Sequence, residues 1–326
     1  MAPGSVVRAQ RVRPLCLGRT ECASLKKTRI AMKQTIISCS GRFLLAVVLV
    51  LLPAAALAQS PWQWQMSLKI DTVGNALYMP GAVAFDTDSE RYYAVDAGRS
   101  RLVSFSRKGE MLRAFTADDS LKAPFDMVRL ANGQLWVVEK GRNSITLIDV
   151  GAKLVQPRIL KDGTRQVFPD RIAHAGGKLH VLDQASGQIL RLAADLTVEQ
   201  RFSCSDCSGN FTDFVIVNGT IWALETRGKN VYRFRPDGTI AQTIHLGDEV
   251  DFPVSLAVEA AGIIYVLDRH RNNIVTFGED GRFRYRFLGP GHAQGQLYFP
   301  RQLRFDPWGN LCVVDEGNGR VEIFSR

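Results

Sequence analysis

The chain has 326 residues, of which 46% are hydrophobic, and a formal net charge of +9, so it is long enough to bury a large core. The first 58 residues hold 9 Lys and Arg and a single acid, which leaves 32 basic and 31 acidic residues in the remainder. This near balance removes any global electrostatic reason for binding nucleic acid or a membrane surface.

An apolar run over residues 43–52 follows Arg42 and leads into Ala56-Leu57-Ala58. The small residues at its end are typical of a signal-peptidase site, so we predict a signal peptide over residues 32–58, cleaved between Ala58 and Gln59. The run is shorter than the roughly 20 residues of a membrane-spanning helix, although an uncleaved anchor is an alternative. We therefore expect a periplasmic or extracellular protein.

The stretch before this signal peptide has a composition of its own. Met32 can begin an ordinary signal peptide, so residues 1–31 are interpreted as a mis-assigned start, with a transit peptide as the alternative because seven basic residues face only Glu21. Residues 59–65 are predicted to be a lead-in, and residues 66–326 the folded repeat domain.

The folded part contains a repeat in which an acidic residue follows two apolar residues. We name these acids the anchors: Asp96, Glu139, Asp183, Glu225, Asp268 and Asp315. They are separated by 43, 44, 42, 43 and 47 residues. In five units a proline lies 14 to 16 residues before the anchor, and the fourth unit has Thr212 instead. A period of this length predicts stacked supersecondary units such as propeller blades.

Each unit predicts four antiparallel strands, named a to d. Strand a follows the proline, strand b ends at the anchor, and glycine turns such as Pro236-Asp237-Gly238 connect strands c and d. The fold class is therefore all-β: a six-bladed β-propeller of four-stranded antiparallel blades. The chain stops 11 residues after Asp315, before a last strand d, so we predict that residues 66–73 complete that blade and close the ring.

The sixth unit carries the clearest family resemblance. Its Phe299-Pro300, its Gly309 to Asp315 segment and its Asn318-Gly319-Arg320-Val321 turn resemble the NHL repeat, and similar units cover residues 66–326. The resemblance implies a bacterial exported NHL-repeat propeller. It implies the fold more than the function, since this fold serves both enzymes and binding modules.

One enzyme class with this repeat can be tested on the fifth unit. Peptidyl-hydroxyglycine lyases carry Pro-His-Ser-Leu there, with a zinc-binding histidine, whereas this chain has Pro253-Val254-Ser255-Leu256. No histidine follows any of the strand-a prolines, and a catalytic zinc needs about three protein ligands. We therefore do not expect this activity.

Strand a of a propeller lines the central channel, and polar residues gather near its start. We predict a polar funnel that could bind a small ligand, formed by Asp126, Asp170, Arg171, Asp213, Ser255, Arg301 and Gln302. Its acids could also hold calcium or another divalent cation, while a hydrated channel mouth is the alternative. No other cofactor and no catalytic residue is predicted.

The remaining polar residues have structural interpretations. We expect the anchors to accept hydrogen bonds from turn amides or to pair with turn arginines. The five histidines occupy different positions in the repeat and do not converge on a metal. We predict a local disulfide between Cys204 and Cys207, because the protein is expected to be exported, and we predict that Cys312 is a buried thiol.

These observations lead to three functional hypotheses. The first is a non-enzymatic, monomeric scaffold in the bacterial envelope, without nucleic acid or a stable membrane span, that binds a protein or polymer through a propeller face. The alternative is a metal-dependent hydrolase or lactonase that uses Asp126, Asp170 and Asp213. A third is an accessory protein of an envelope redox chain, which rests on location alone.

Overall fold

The computed structural model describes residues 60–70 and 76–326. The predicted signal peptide, the stretch before it and Gln59 lie outside the described residues. The described residues form six four-stranded antiparallel sheets and one two-stranded ribbon, arranged as a six-bladed β-propeller with short 3-10 turns. The predicted fold class is confirmed.

The blades follow one another along the chain, and each runs from strand a at the channel to strand d at the rim. The strands of the first three blades are β2 (Pro80–Asp86), β3 (Arg91–Asp96), β4 (Arg101–Ser106) and β5 (Met111–Phe115); β6 (Pro124–Arg129), β7 (Leu135–Glu139), β8 (Ser144–Asp149) and β9 (Leu154–Arg158); and β12 (Pro169–Ala175), β13 (Lys178–Asp183), β14 (Gln188–Leu192) and β15 (Val198–Phe202). A small ribbon of β10 (Lys161–Asp162) and β11 (Arg165–Gln166) connects blades 2 and 3.

The second half repeats the same order. The strands of blades 4 to 6 are β16 (Phe211–Val217), β17 (Thr220–Glu225), β18 (Asn230–Phe234) and β19 (Ile240–His245); β20 (Pro253–Val258), β21 (Ile264–Asp268), β22 (Asn273–Phe277) and β23 (Phe283–Phe287); and β24 (Gln302–Phe305), β25 (Leu311–Asp315), β26 (Arg320–Ser325) and β1 (Gln63–Leu68). The 3-10 turns are Ala97–Arg99, Gly247–Glu249 and Glu316–Asn318. No helix in the described residues has the length and apolar character of a membrane span.

Apolar side chains fill the six interfaces between neighbouring blades, one cluster to each interface. The apolar pairs before the anchors explain how. In blade 5, Val266 packs into the cluster shared with blade 4, whereas Leu267 packs into the cluster shared with blade 6. Consecutive strand residues point to opposite faces, so a blade buried on both faces needs apolar residues at both positions.

The ring closes through the N-terminal strand, as predicted. Strand β1 pairs antiparallel with β26, and Leu68 lies opposite Val321. The strand begins at Gln63, which lies opposite Ser325, three residues before the predicted boundary. Both tryptophans of the predicted lead-in also contact side chains of the propeller. Trp62 packs edge-on against Tyr265, and the indole of Trp64 donates a hydrogen bond of 2.7 Å to Oε2 of Glu322. Residues 71–73 of the predicted strand lie outside the described residues.

Candidate functional site at the upper mouth of the channel

One position of strand a recurs in all six blades and defines the wall of the channel. In five blades it lies two residues after the first residue of strand a, at or beside a shift in the pairing with strand b. In blade 6 it is the first residue of strand a, two residues after Pro300. We name these residues the inner ring: Ala82, Asp126, Arg171, Asp213, Ser255 and Gln302. All six are buried. Five of the seven predicted funnel residues therefore occupy equivalent places: Asp126, Arg171, Asp213, Ser255 and Gln302. Of these five, only Arg171 also lines the open mouth of the channel.

The inner ring ties each blade to the next through backbone amides. The Oε1 atom of Gln302 accepts a hydrogen bond of 3.0 Å from the amide of Val83, and Ser255 Oγ accepts one of 3.0 Å from Leu303. Asp126 and Asp213 do the same for Ile172 and Leu256, at 3.0 and 3.1 Å. Ala82 and Arg171 carry no acceptor, so four of the six places hold this inter-blade bond. A buried amide that lost this acceptor would cost about 1–3 kcal/mol.

A second arginine, which the sequence analysis missed, crosses the channel. Arg304 from blade 6 grips Asp213 of blade 4 with both terminal nitrogens, 2.8 Å from Oδ1 and 2.9 Å from Oδ2. Burial by itself would raise the pKa of Asp213, but Arg304 and Arg171 hold it below the usual value. The pKa of Asp126 is raised by burial, which these arginines only partly oppose.

These contacts decide whether the acids fit a divalent cation. Asp213 already binds the Arg304 fork, the Ser255 hydroxyl and a backbone amide. Asp126 binds two backbone amides and the Gln302 side-chain amide. Calcium takes about six to eight oxygen ligands, and these oxygens face N–H and O–H donors instead. Among the described residues no group of three or more His, Cys, Asp or Glu is placed to hold a metal. The inner-ring acids therefore do not fit the cation site that was hypothesised.

Above the ring the channel widens into a cavity of 1060 Å³. We name it the upper mouth, since it opens on the face that carries the turns between strands b and c. Its walls are Asp170, Arg171, Gln184, Gly209, Asn210, Thr212, Thr226, Arg227, Lys229, Asp251, Phe252, Val254, Arg269 and Arg301. Only Asp170, Arg171 and Arg301 of the predicted funnel reach it. Three basic residues of the turns, Arg227, Lys229 and Arg269, contribute to it as well.

Two arginines of the upper mouth and the neighbouring Lys140, which is not a wall residue, surround a single aromatic ring. The charged groups of Arg301, Lys140 and Arg171 lie 4.3, 4.8 and 4.9 Å from the ring centroid of Phe125. Burial lowers the pKa of Lys140, and the neighbouring charges of Arg171 and Arg301 lower it further, while Asp170 raises it. Burial likewise lowers the pKa of Arg301, although Glu316 opposes this change. The ring face attracts cations and holds them together despite their mutual repulsion.

Lys140 and Asp170 form a pair at the wall of the upper mouth. The ammonium group of Lys140 donates to Oδ1 of Asp170 and, at 3.0 Å, to Oε1 of Gln184. Asp170 begins the inner strand of blade 3, whereas Lys140 follows the anchor of blade 2. The pairing therefore depends on the packing of two blades, and their sequence separation of 30 residues gives no local signal for it.

The anchors serve the upper face as structural acceptors. All six are fully buried. Five accept a backbone N–H from the connection that precedes their own blade, as Asp315 does from Tyr298 at 2.7 Å. The exception is Glu225, which instead accepts from the side chains of Asn230 and Tyr232 in a blade whose strand a lacks the proline.

The cysteines and histidines lie away from the upper mouth or at its edge. Cys204 and Cys207 are joined by a disulfide, and Cys312 is a buried free thiol. His180 is buried in strand b of blade 3, while His270 stacks on Phe252 with ring centroids 4.5 Å apart.

The chain shares its architecture with several solved enzymes. No protein-family model matches the chain, so its assignment to the NHL-repeat family is not confirmed. A streptogramin B lyase aligns with 81% of this chain and 97% of its own, at 13% identity and a TM-score of 0.59. For virginiamycin B lyase from Staphylococcus aureus the shares are 81% and 99%, with 13% identity and a TM-score of 0.58. A gluconolactonase from Xanthomonas campestris covers 80% of this chain with 98% of its own, at 14% identity and a TM-score of 0.60. These likenesses establish a shared six-bladed fold.

Proposed function

We propose that this chain is an enzyme that converts a small molecule at the upper mouth, by hydrolysis of an ester or lactone. The observation that carries the proposal is the pair of Lys140 and Asp170 beside Arg171 and Arg301. Asp170, Arg171 and Arg301 line one cavity of about the size that small ligands occupy, and Lys140 pairs with Asp170 beside it. The similarity to a gluconolactonase and to lyases supports an enzyme over the scaffold hypothesis. No contact among the described residues supports a scaffold.

The geometry gives each group a role in the reaction. Asp170 accepts a proton from water while the water oxygen bonds to the substrate carbonyl carbon. The predominantly basic wall of the cavity stabilises the negative charge that develops on the former carbonyl oxygen. As the ester C–O bond breaks, Lys140 protonates the leaving oxygen, and the proton on Asp170 then returns to Lys140. The products are an acid and an alcohol, joined in one hydroxy acid if the substrate is a lactone.

The experiment is a continuous pH-stat assay of the purified chain on a panel of lactones and esters. Asp170→Asn and Lys140→Met should each lower kcat by about 10²-fold or more, since each removes a proton-transfer group. Lys178→Met is the matched control, because Lys178 forms a comparable pair with Glu199 at an exposed site. A lowered pKa of Lys140 also predicts that the alkaline limb of the wild-type rate profile lies below pH 10.5.

Two results would contradict the proposal. The first is turnover that survives both substitutions, which would place the chemistry elsewhere. The second is the absence of turnover on every substrate together with recovery of a specific protein or polymer partner from an envelope extract, which would favour the scaffold hypothesis.

The enzyme is proposed to act outside the cytoplasm. The signal-peptide pattern over residues 32–58 supports this location. The disulfide between Cys204 and Cys207 agrees with it, because such bonds persist in oxidising compartments. Intact mass of the chain from a periplasmic or culture fraction tests it, and a mass that includes residues 32–58 would contradict cleavage at Gln59.

A further inference from the structure

We propose that the upper mouth recognises an oxyanion on its ligand, a carboxylate or a phosphate, through Arg171 and Arg301. This inference names the substrate class for the proposed enzyme and rests on it only for the identity of the cavity. The sequence predicted a funnel for a small ligand or a divalent cation, and the predominantly basic wall of the upper mouth favours an anionic small ligand.

The charge balance of the upper mouth is the first argument. Five of its wall residues are basic, namely Arg171, Arg227, Lys229, Arg269 and Arg301, and two are acidic, namely Asp170 and Asp251. Both acids are already engaged, Asp170 with Lys140 and Asp251 with Arg271. Glu316 is shared between Arg269 and Arg301 at 2.7 and 2.8 Å. The cavity therefore keeps an excess of positive charge, which favours anions.

Unfilled donors supply the second, independent argument. Arg171 is only 5% exposed, and its Nε and Nη1 atoms have no hydrogen-bond acceptor within the described residues. The nearest carboxylate oxygens belong to Asp213, at 3.5 Å from Nε, and to Asp170, at 3.9 Å from Nη1. The Nε atom of Arg301 is likewise buried without an acceptor. A buried guanidinium nitrogen without an acceptor is costly, and a ligand oxygen would remove that cost.

The arrangement also selects the shape of the group. The guanidinium groups of Arg171 and Arg301 lie 4.9 and 4.3 Å from the ring centroid of Phe125, which keeps the two groups close together. A guanidinium presents its N–H groups in a fixed planar fork that matches carboxylate and phosphate oxygens. Phe252 and Val254 on the wall offer apolar surface to the rest of the ligand. The ligand class is thus a small organic acid or phosphate ester with an apolar portion.

The test measures binding without turnover. Thermal unfolding of the wild-type chain is followed with increasing sodium succinate or sodium phosphate, at an ionic strength held constant with sodium chloride. We expect at least one of the two anions to raise Tm by about 2 °C or more with saturation. Isothermal titration with the same anion gives the affinity, and Arg301→Gln should weaken it by about tenfold or more.

Arg286→Gln is the matched control, because Arg286 also pairs with a glutamate and stacks on a phenylalanine, but at the rim of blade 5. Anions that act only through general salt effects would raise Tm equally in both variants. Arg171→Gln provides a second variant if Arg301→Gln folds poorly.

Each outcome bears on one proposal or the other. The inference is overturned if neither anion raises the wild-type Tm, or if Arg301→Gln and Arg171→Gln keep the wild-type affinity. Anion binding without any turnover would support this inference and count against the enzyme. Turnover of neutral substrates by a chain that binds neither anion would do the reverse.

Discussion

The inner ring and the upper mouth are neighbours along the same channel, but they treat charge in opposite ways. In the inner ring, Asp213 accepts from two arginine nitrogens, a hydroxyl and an amide, so its acceptor sites are filled by the protein. In the upper mouth, Arg171 and Arg301 retain buried nitrogens without acceptors. The first arrangement is typical of a group that holds a fold together, and the second of a group that awaits a ligand. Polarity alone therefore does not mark a functional site, and the stronger indication is unfilled hydrogen-bonding capacity on the wall of a cavity.

The largest effect on stability should come from a substitution in the inner ring, where the protein itself fills the acceptor sites of Asp213. Asp213→Asn removes the negative charge that Arg304 grips and Arg171 approaches, so the free energy of unfolding should fall by about 3 kcal/mol. Urea denaturation followed by circular dichroism measures it. Asp162→Asn is the control, since Asp162 pairs with the more exposed Arg201 and should change stability by less than about 1 kcal/mol. Equal losses in the two variants would contradict the special status of the inner ring.

A histidine whose pKa is controlled mainly by burial should show an intermediate effect that depends on pH. Burial lowers the pKa of His180 to about 4 from 6.5, so the unfolded chain binds this proton more readily than the folded chain. The free energy of unfolding contains a contribution from neutral His180 that is fully present above pH 6.5. This contribution falls by roughly 3 kcal/mol as the pH drops towards 4. His180→Phe should remove this part of the acid sensitivity, because phenylalanine fits a place that is aromatic in other blades.

Urea denaturation between pH 7 and pH 4 measures the difference between wild type and His180→Phe. His174→Phe is the control, since His174 lies on the exposed part of the same blade. If the stability of all three proteins falls in parallel with pH, His180 does not titrate as described.

The smallest effect should come from the unfilled region itself. In buffer without the anions tested above, Arg301→Gln should change the free energy of unfolding by about 1 kcal/mol or less. Glu316 keeps its contact with Arg269, and the repulsion among Arg171, Arg269 and Arg301 is relieved. Denaturation alongside Asp213→Asn sharpens the comparison, and a loss as large as that of Asp213→Asn would show that Arg301 holds the fold together.

The architecture could be predicted because every blade repeats the same local pattern. Apolar pairs before the anchors require burial on both faces, and a last unit one strand short requires a strand from elsewhere in the chain. The boundary at residue 66 was less accurate than the closure, since Trp62 and Trp64 reveal their roles only against Tyr265 and Glu322. Those partners lie about 200 residues or more away in sequence, so no local pattern announces them.

By itself the sequence determined the six units, their four strands and the choice of strand a as the channel wall. These properties follow from periodicity, which is local. Only the tertiary structure decided which polar side chains of strand a have their hydrogen-bonding groups satisfied by the protein and which do not, because the partners come from other blades. Arg304 reaches Asp213 across 91 residues, and Phe125 gathers cations from three blades. This convergence gives the upper mouth a predominantly basic wall, where the sequence had allowed either a small ligand or a divalent cation.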